Sequence, residues 1–377
     1  MKSLLKKIFF LLLLSASINS FGQNGILSKN ARVSIITCDT GNESYSLFGH
    51  TAIRITDVEK NLDVVFNYGA FDFNTPNFVA KFSKGDLEYF AVATAFSDFM
   101  NQYAYEKRSV FEQELNISQA KKQKLLDNLT ATLSSSESYY TYKFIDKNCT
   151  SMVVDILNKT LGSAVIVKKV DTNKTYRSIL YPYFNSSYYE KLGTSIIFGK
   201  KVDEYGTKLF LPLELHKSLK LIQYENHSLC KESKTILEFK KETSSSLWNN
   251  FYTYSFVLTL IVFINKKNID LFYLFTIGLL GLFLAFMGFY SFHEELAHNY
   301  NILLFNPLML VLLYFYCTKN NKWIVNLSLA NLFLLFIYFL FMLNKIHLVI
   351  ILPLFFTSIA ILVKIIIRET KRNPLVI

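Results

Sequence analysis

A chain of 377 residues is long enough for two domains, and 51% of it is hydrophobic, with the apolar residues crowded into the last third. The formal net charge of +11 raises a nucleic-acid reading, but no basic run is interleaved with aromatics as a binding groove requires, so nucleic acid is excluded as a partner. The lysines are dispersed, as in Lys121-Lys122-Gln123-Lys124, and suit solvated helix faces or a surface held near anionic lipid headgroups.

At the N-terminus, Lys2, Lys6 and Lys7 precede the apolar run 8–14, and small and polar residues follow as far as Gly22 and Gln23. This order reads as a signal peptide over 1–22, cut between Gly22 and Gln23. The run is short for a bilayer span, which disfavours an uncleaved anchor. Export places residues 23 to about 245 in an oxidising compartment. There Cys38 and Cys230 either form a disulfide, leaving Cys149 as the free thiol, or all three stay unpaired. Cys317 ends an apolar segment and is expected to be buried.

Residues 31–36, 51–55 and 62–68 have strand character, with Asp57-Val58-Glu59-Lys60-Asn61 as the turn between the last two. Folding that hairpin brings Asn67 or a near neighbour opposite His50, and a register slip of one or two residues would change the partner. Ser118 is a fair N-cap for a helix carrying Leu125, Leu126, Leu129 and Leu133, which stops at Ser134-Ser135-Ser136. The alternating stretch from Tyr139 to Phe144 then leads into a polar turn, Asp146-Lys147-Asn148. A second helix follows from Cys149, with Met152, Val153, Ile156 and Leu157 as its buried stripe. Strands and packed helices together predict an α+β domain.

Cys149 at the mouth of that helix is the candidate nucleophile, because the positive end of the helix favours thiolate over thiol. His50 is the residue type such a thiol needs as its base, and Asn67 is placed to orient the imidazole. The backbone N–H of Cys149 is the first oxyanion donor, with Asn148 or Tyr45 as candidates for the second. Cys38 is the rival thiol but lacks a following helix. Arg54 and Asp155 fit structural ion pairs as well as any catalytic role. Further on, Tyr176, Tyr181, Tyr183, Tyr188 and Tyr189 line an apolar groove or simply fill a core, and Glu232 to Ser246 reads as a polar linker.

Five apolar segments follow, at about 248–264, 270–292, 302–317, 323–343 and 346–366, each near the length of a span. Lys266-Lys267, Lys319 to Lys322 and the basic tail fall on one side, which the positive-inside rule makes cytoplasmic. The loop from His293 to Asn301 then lies outside, with Cys149. His293 and His298 stand five apart, so on a helix the second imidazole swings well over a right angle from the first, against a zinc site. The better reading is a polar rim of His293, Glu295, His298, Asn301 and Asn306 at the bilayer surface, suited to a phospholipid headgroup or an incoming amine, or an ordinary hydrated loop.

Phe48-Gly49-His50-Thr51-Ala52-Ile53-Arg54-Ile55, Phe66-Asn67-Tyr68-Gly69-Ala70-Phe71-Asp72-Phe73 and Asn148-Cys149-Thr150-Ser151 occur in that order. Together they resemble the Lnb-type lipoprotein N-acyltransferases of Bacteroidota, over nearly the whole mature chain. Because histidine precedes cysteine, the resemblance implies a circularly permuted NlpC/P60 (papain-like) domain followed by an all-α transmembrane domain of about five spans. It places 23–246 in the periplasm, linker included, and 247–377 in the bacterial inner membrane with a cytoplasmic tail. The implied reaction moves an acyl chain from a phospholipid, through a cysteine thioester, to the α-amine of a diacylglyceryl-cysteine lipoprotein, with no cofactor and no metal. His50 and Cys149 alone fit equally a membrane-anchored cysteine amidase or peptidase of NlpC/P60 type acting on cell-wall peptide. A non-catalytic receptor or scaffold is a third reading. A multi-span domain favours transfer over hydrolysis of a polar polymer.

Overall fold

The computed structural model describes residues 25–43, 45–185, 187–240 and 246–372; the signal-peptide reading falls outside them. Strands β1 (Arg32–Cys38), β2 (His50–Asp57) and β3 (Leu62–Ala70) form the centre of an antiparallel sheet. Helix α1 (Phe78–Lys84) leads to β4 (Glu88–Ala95), helix α2 (Phe96–Tyr105) to β5 (Val110–Glu114), and α3 (Gln119–Leu133) to the short β6 (Tyr139–Thr141). After α4 (Cys149–Leu161) come α5 (Tyr176–Leu180), α6 (Tyr188–Ile197) and α7 (Pro212–Leu219). A small hairpin of β7 (Gln223–Tyr224) and β8 (His227–Ser228) precedes β9 (Lys234–Leu237). The seven-stranded sheet runs β6-β4-β3-β2-β1-β5-β9.

The central strands are buried on both faces, and their period-2 alternation sorts residues between two cores. Ile35, Ile53, Ile55 and Phe66 pack with Leu125, Leu129, Val153 and Leu157 of α3 and α4. Ile36, Ala52 and Val65 face the other way, onto Phe99 and Tyr103 of α2. Each fully buried Val, Leu, Ile or Phe side chain among them contributes about 1.5–3 kcal/mol. Cys38 belongs to the second core and Cys230 to the first, so the sheet separates them, and all four cysteines are free. Cys317 is exposed rather than buried.

The polar linker expected over residues 232–246 is corrected in part: Lys234–Leu237 is β9, paired with β5 at the sheet edge. The tyrosines divide. Tyr176, Tyr181 and Tyr183 join a core with Phe184 and Phe210, whereas Tyr188 and Tyr189 of α6 pack on the membrane helices.

The helical region holds α8 (Phe251–Ile264), α9 (Lys267–Tyr290), α10 (Leu308–Cys317), α11 (Asn321–Met342) and α12 (Leu348–Arg372). Among the described residues, α9, α11 and α12 are long and apolar enough to cross a bilayer. The pair 294–303 and Leu308–Cys317, bent by 43°, makes a fourth if taken as one broken span, and α8 is shorter. The five apolar segments are thus five helices, three of them clear spans by length, one part of a broken pair, and one of 14 residues, which at about 1.5 Å per residue falls short of a hydrocarbon core of about 30 Å.

A buried ionic cluster fastens the two regions together. Arg177 Nε donates to Asp203 Oδ1 at 2.7 Å, the Tyr300 hydroxyl donates to Asp203 Oδ2 at 2.6 Å, and Lys345 lies 3.4 Å from the same oxygen. Burial opposes ionisation of Asp203, but Arg177, Tyr300 and Lys345 outweigh it and hold its carboxyl below the usual range.

Candidate active site

The site is assembled where β2 begins, β3 ends and α4 starts. Gly49 takes a φ of +85°, and a Cβ there would lie 2.5 Å from the Cys38 carbonyl oxygen, so only glycine lets the chain enter β2 in this way. His50 follows as the first residue of the strand. Asn67 stands opposite Ala52 rather than His50, and reaches the imidazole diagonally: His50 Nε2 lies 3.2 Å from Asn67 Oδ1. The Asn67 amide nitrogen is spent on Thr94 Oγ1 at 3.2 Å and the Val65 carbonyl at 3.4 Å, which leaves Oδ1 as an acceptor. Nε2 therefore carries the proton, and Nδ1 is the lone pair available to a thiol.

Helix α4 brings the thiol to that imidazole. Asn148 adopts an extended conformation and forms a capping box: its Oδ1 accepts from Thr150 N at 2.9 Å and Ser151 N at 3.1 Å, while Ser151 Oγ accepts from Asn148 N at 2.8 Å. Its amide nitrogen donates to the Phe144 and Phe210 carbonyls. Asn148 is thus fully committed and has no donor left for an oxyanion. Cys149 occupies the first helical position, where its own N–H has no intrahelical acceptor.

Burial of the Cys149 thiol opposes ionisation. His50, by charge and by hydrogen bond, together with the Thr51 N–H and the Thr150 hydroxyl, outweighs that cost and brings the thiol below its ordinary value. The half-buried thiol opens on a cavity of about 430 Å³ bordered by His50, Gly69, Phe71, Tyr89 and Phe210. Cys38 differs in every respect. It is fully buried on the far side of the sheet, and burial pushes its thiol far up.

A family model described as the Lnb N-terminal periplasmic domain matches residues 20–181, and one described as the Lnb transmembrane domain matches residues 243–372. The chain belongs to the Lnb family. It is accordingly a membrane protein with a periplasmic domain. No curated protein and no solved structure matches the chain.

In this Lnb chain two residues that sequence reasoning missed stand beside the thiol. Gly69 sits at an irregularity in the β3–β4 pairing with φ +105°, and a Cβ there would lie 3.6 Å from Cys149 Cβ and 4.0 Å from His50 Cε1. Tyr140 is 4% exposed, and its hydroxyl, 3.9 Å from that same point, finds no protein partner. The alternation around Tyr139 marks Tyr140 as one-sided, but only the fold shows which side. Tyr45, the other sequence candidate for a donor, borders the cavity and is largely exposed. Arg54 pairs with Asp63 and Glu112 and stacks on Phe96, away from the thiol.

The polar rim is corrected, because four of its five residues are buried and engaged. His293 Nε2 donates to the Phe82 carbonyl at 2.9 Å, near the end of α1. Glu295 Oε1 accepts from Ile145 N at 3.1 Å, in the turn that leads to Cys149. Asn301 Nδ2 donates to the Ser195 and Ile196 carbonyls at the end of α6, and its Oδ1 accepts from the Tyr338 hydroxyl. Asn306 Oδ1 accepts from Leu308 N at the start of α10. Only His298 is exposed, with φ +50°. His293, Glu295 and Asn301 supply partners to backbone groups of α1, of the turn before Cys149 and of α6, and so fix the periplasmic domain to the membrane helices. Among the described residues no group of three or more His, Cys, Asp or Glu side chains is placed to hold a metal ion.

Proposed function

We propose that this protein is a lipoprotein N-acyltransferase of the bacterial inner membrane, working in the periplasm through a Cys149 thioester. The observation that carries the reading is a thiol at the start of α4 that opens with His50 on one cavity, with the turn before it held to the membrane region by the Glu295 to Ile145 contact. Cys149 gives its thiol proton to His50, and its Sγ attacks the acyl carbonyl of a phospholipid ester, forming the C–S bond. As the C–O bond breaks, His50 gives its proton to the departing glycerol oxygen. The α-amine of a diacylglyceryl-cysteine then attacks the thioester, His50 takes the amine proton, and the C–N bond forms as the thiolate leaves. His50 then returns that proton to the Cys149 thiolate and is restored to the neutral tautomer that Asn67 selects. The order of histidine and cysteine accords with a permuted NlpC/P60 arrangement.

The oxyanion of each tetrahedral intermediate is received by the Cys149 N–H and, in this reading, by the otherwise unpartnered Tyr140 hydroxyl. Tyr140→Phe is expected to lower transfer on the order of 10²-fold. It should leave the rate of Cys149 alkylation by iodoacetamide unchanged. A matching fall in alkylation would show a structural role instead.

The deciding experiment expresses the chain in a bacterium depleted of its own lipoprotein N-acyltransferase and reads a lipoprotein N-terminus by mass spectrometry. A third acyl chain is the expected result. A lipoprotein that stays diacylated, with the protein present in the membrane, overturns the proposal and directs the search to cell-wall peptide cleavage.

A further inference from the structure

Next to the thiol cavity lies a second one, of about 500 Å³, wedged between the periplasmic domain and the membrane helices. Its wall is made of Leu47, Phe198, Phe283, Met287 and Leu296, together with four aromatic side chains that also line the thiol cavity: Phe48, Phe82, Tyr142 and Phe144. Of the polar side chains at its edge, His293 is used on the Phe82 carbonyl, Glu295 on Ile145 N and Thr194 on the Glu190 carbonyl, while the Glu190 carboxylate is exposed. Away from the exposed Glu190 at its rim, such a lining offers hydrocarbon a full set of contacts.

Phe283 and Met287 belong to the last turns of α9, so the chamber begins where a membrane helix ends. On the opposite side stands Gly193 of α6, where an added Cβ would meet nothing within 4 Å. We infer that this chamber seats the acyl chain whose carboxyl carbon is bonded to Cys149, the chain passing between the shared aromatic side chains. The inference rests on the acyl-transfer reading and adds to it where the chain lies and what limits its length.

Full-length protein in nanodiscs is treated with N-alkyl iodoacetamides bearing four or twelve carbons, and modification of the Cys149 peptide is followed by mass spectrometry. For wild type the longer reagent is expected to react at least about tenfold faster, because each fully buried methylene is worth roughly fourfold. Gly193→Phe should bring that ratio close to one while the four-carbon rate holds. Met287→Trp, entering from the opposite wall, gives the same comparison should Gly193→Phe fail to fold by thermal unfolding. Equal ratios in wild type and in folded blocked variants overturn the chamber, even if lipoproteins are triacylated. A ratio that collapses on blocking supports the chamber, and a diacylated lipoprotein in the same cells would then count against transfer alone.

Discussion

Cys149→Ala is expected to abolish the third acyl chain altogether, because Cys149 is the thiol that opens on the cavity beside His50, whereas Cys38, opposite His50 in the strand pairing, is fully buried. The loss should come without unfolding. The thiol is half-buried, Asn148 still caps α4 through the Thr150 and Ser151 amides, and alanine suits a first helical position. A nucleophile role also predicts an acyl adduct on wild type, labile to hydroxylamine and absent from Cys149→Ala. Cys38→Ala serves as the matched control, since it removes a thiol of the same chain that burial keeps protonated on the far side of the sheet. An active Cys149→Ala beside an inactive Cys38→Ala would sink the assignment. Gel mobility of the lipoprotein and intact mass of the enzyme measure both ends of the reaction independently.

What the sequence made legible was local. The alternation at 31–36, 51–55 and 62–68 suffices to place three strands, because the apolar positions recur every second residue and the turn between the last two is short. Ser118 announces its helix, since a capping side chain must sit immediately before the first turn, whereas Asn148, a candidate oxyanion donor in the sequence, proves to be the cap of α4. The pairing of Asn67 with His50 was within reach only as one of several registers, and the observed contact is diagonal, which a strict opposite-residue argument does not give. Tyr140 lay out of reach because β6 joins the sheet beside β4, a long-range choice that no local pattern encodes. The misreading of the loop from His293 to Asn306 has a similar cause. Histidine, glutamate and asparagine look like solvated rim residues when the partner surface is unknown. Against α1, α6 and the turn before Cys149 they become donors and acceptors for backbone groups. The five apolar segments were legible from composition, but apolar content cannot reveal the 43° break between 294–303 and Leu308–Cys317.

His50→Ala is expected to lower transfer by about 10²- to 10⁴-fold, the usual range for a positioned acid–base group. It should also change the pH dependence of the thiol in a defined direction. In wild type His50 supplies the largest of the effects that lower the Cys149 thiol, against burial, which raises it. Deleting the imidazole leaves burial opposed only by the Thr51 N–H and the Thr150 hydroxyl. The thiol pKa must therefore rise, and the thiolate fraction at neutral pH must fall. The midpoint of the alkylation rate against pH should shift to higher pH, with the full rate recovered once the solution is basic enough. Transfer should not recover with it. Raising the pH restores the thiolate but not the proton that the departing glycerol oxygen needs, so alkylation and transfer part company on the alkaline side. A His50→Ala variant whose alkylation profile superimposes on wild type would refute the pairing of the two residues, whatever its activity. Asn67→Ala separates orientation from protonation. Losing the 3.2 Å contact to Nε2 frees the ring to change tautomer and rotate, which should cost transfer less than His50→Ala does. If Asn67→Ala proved as damaging as His50→Ala, the imidazole would depend on that single contact for its working geometry, and the triad would act as one unit.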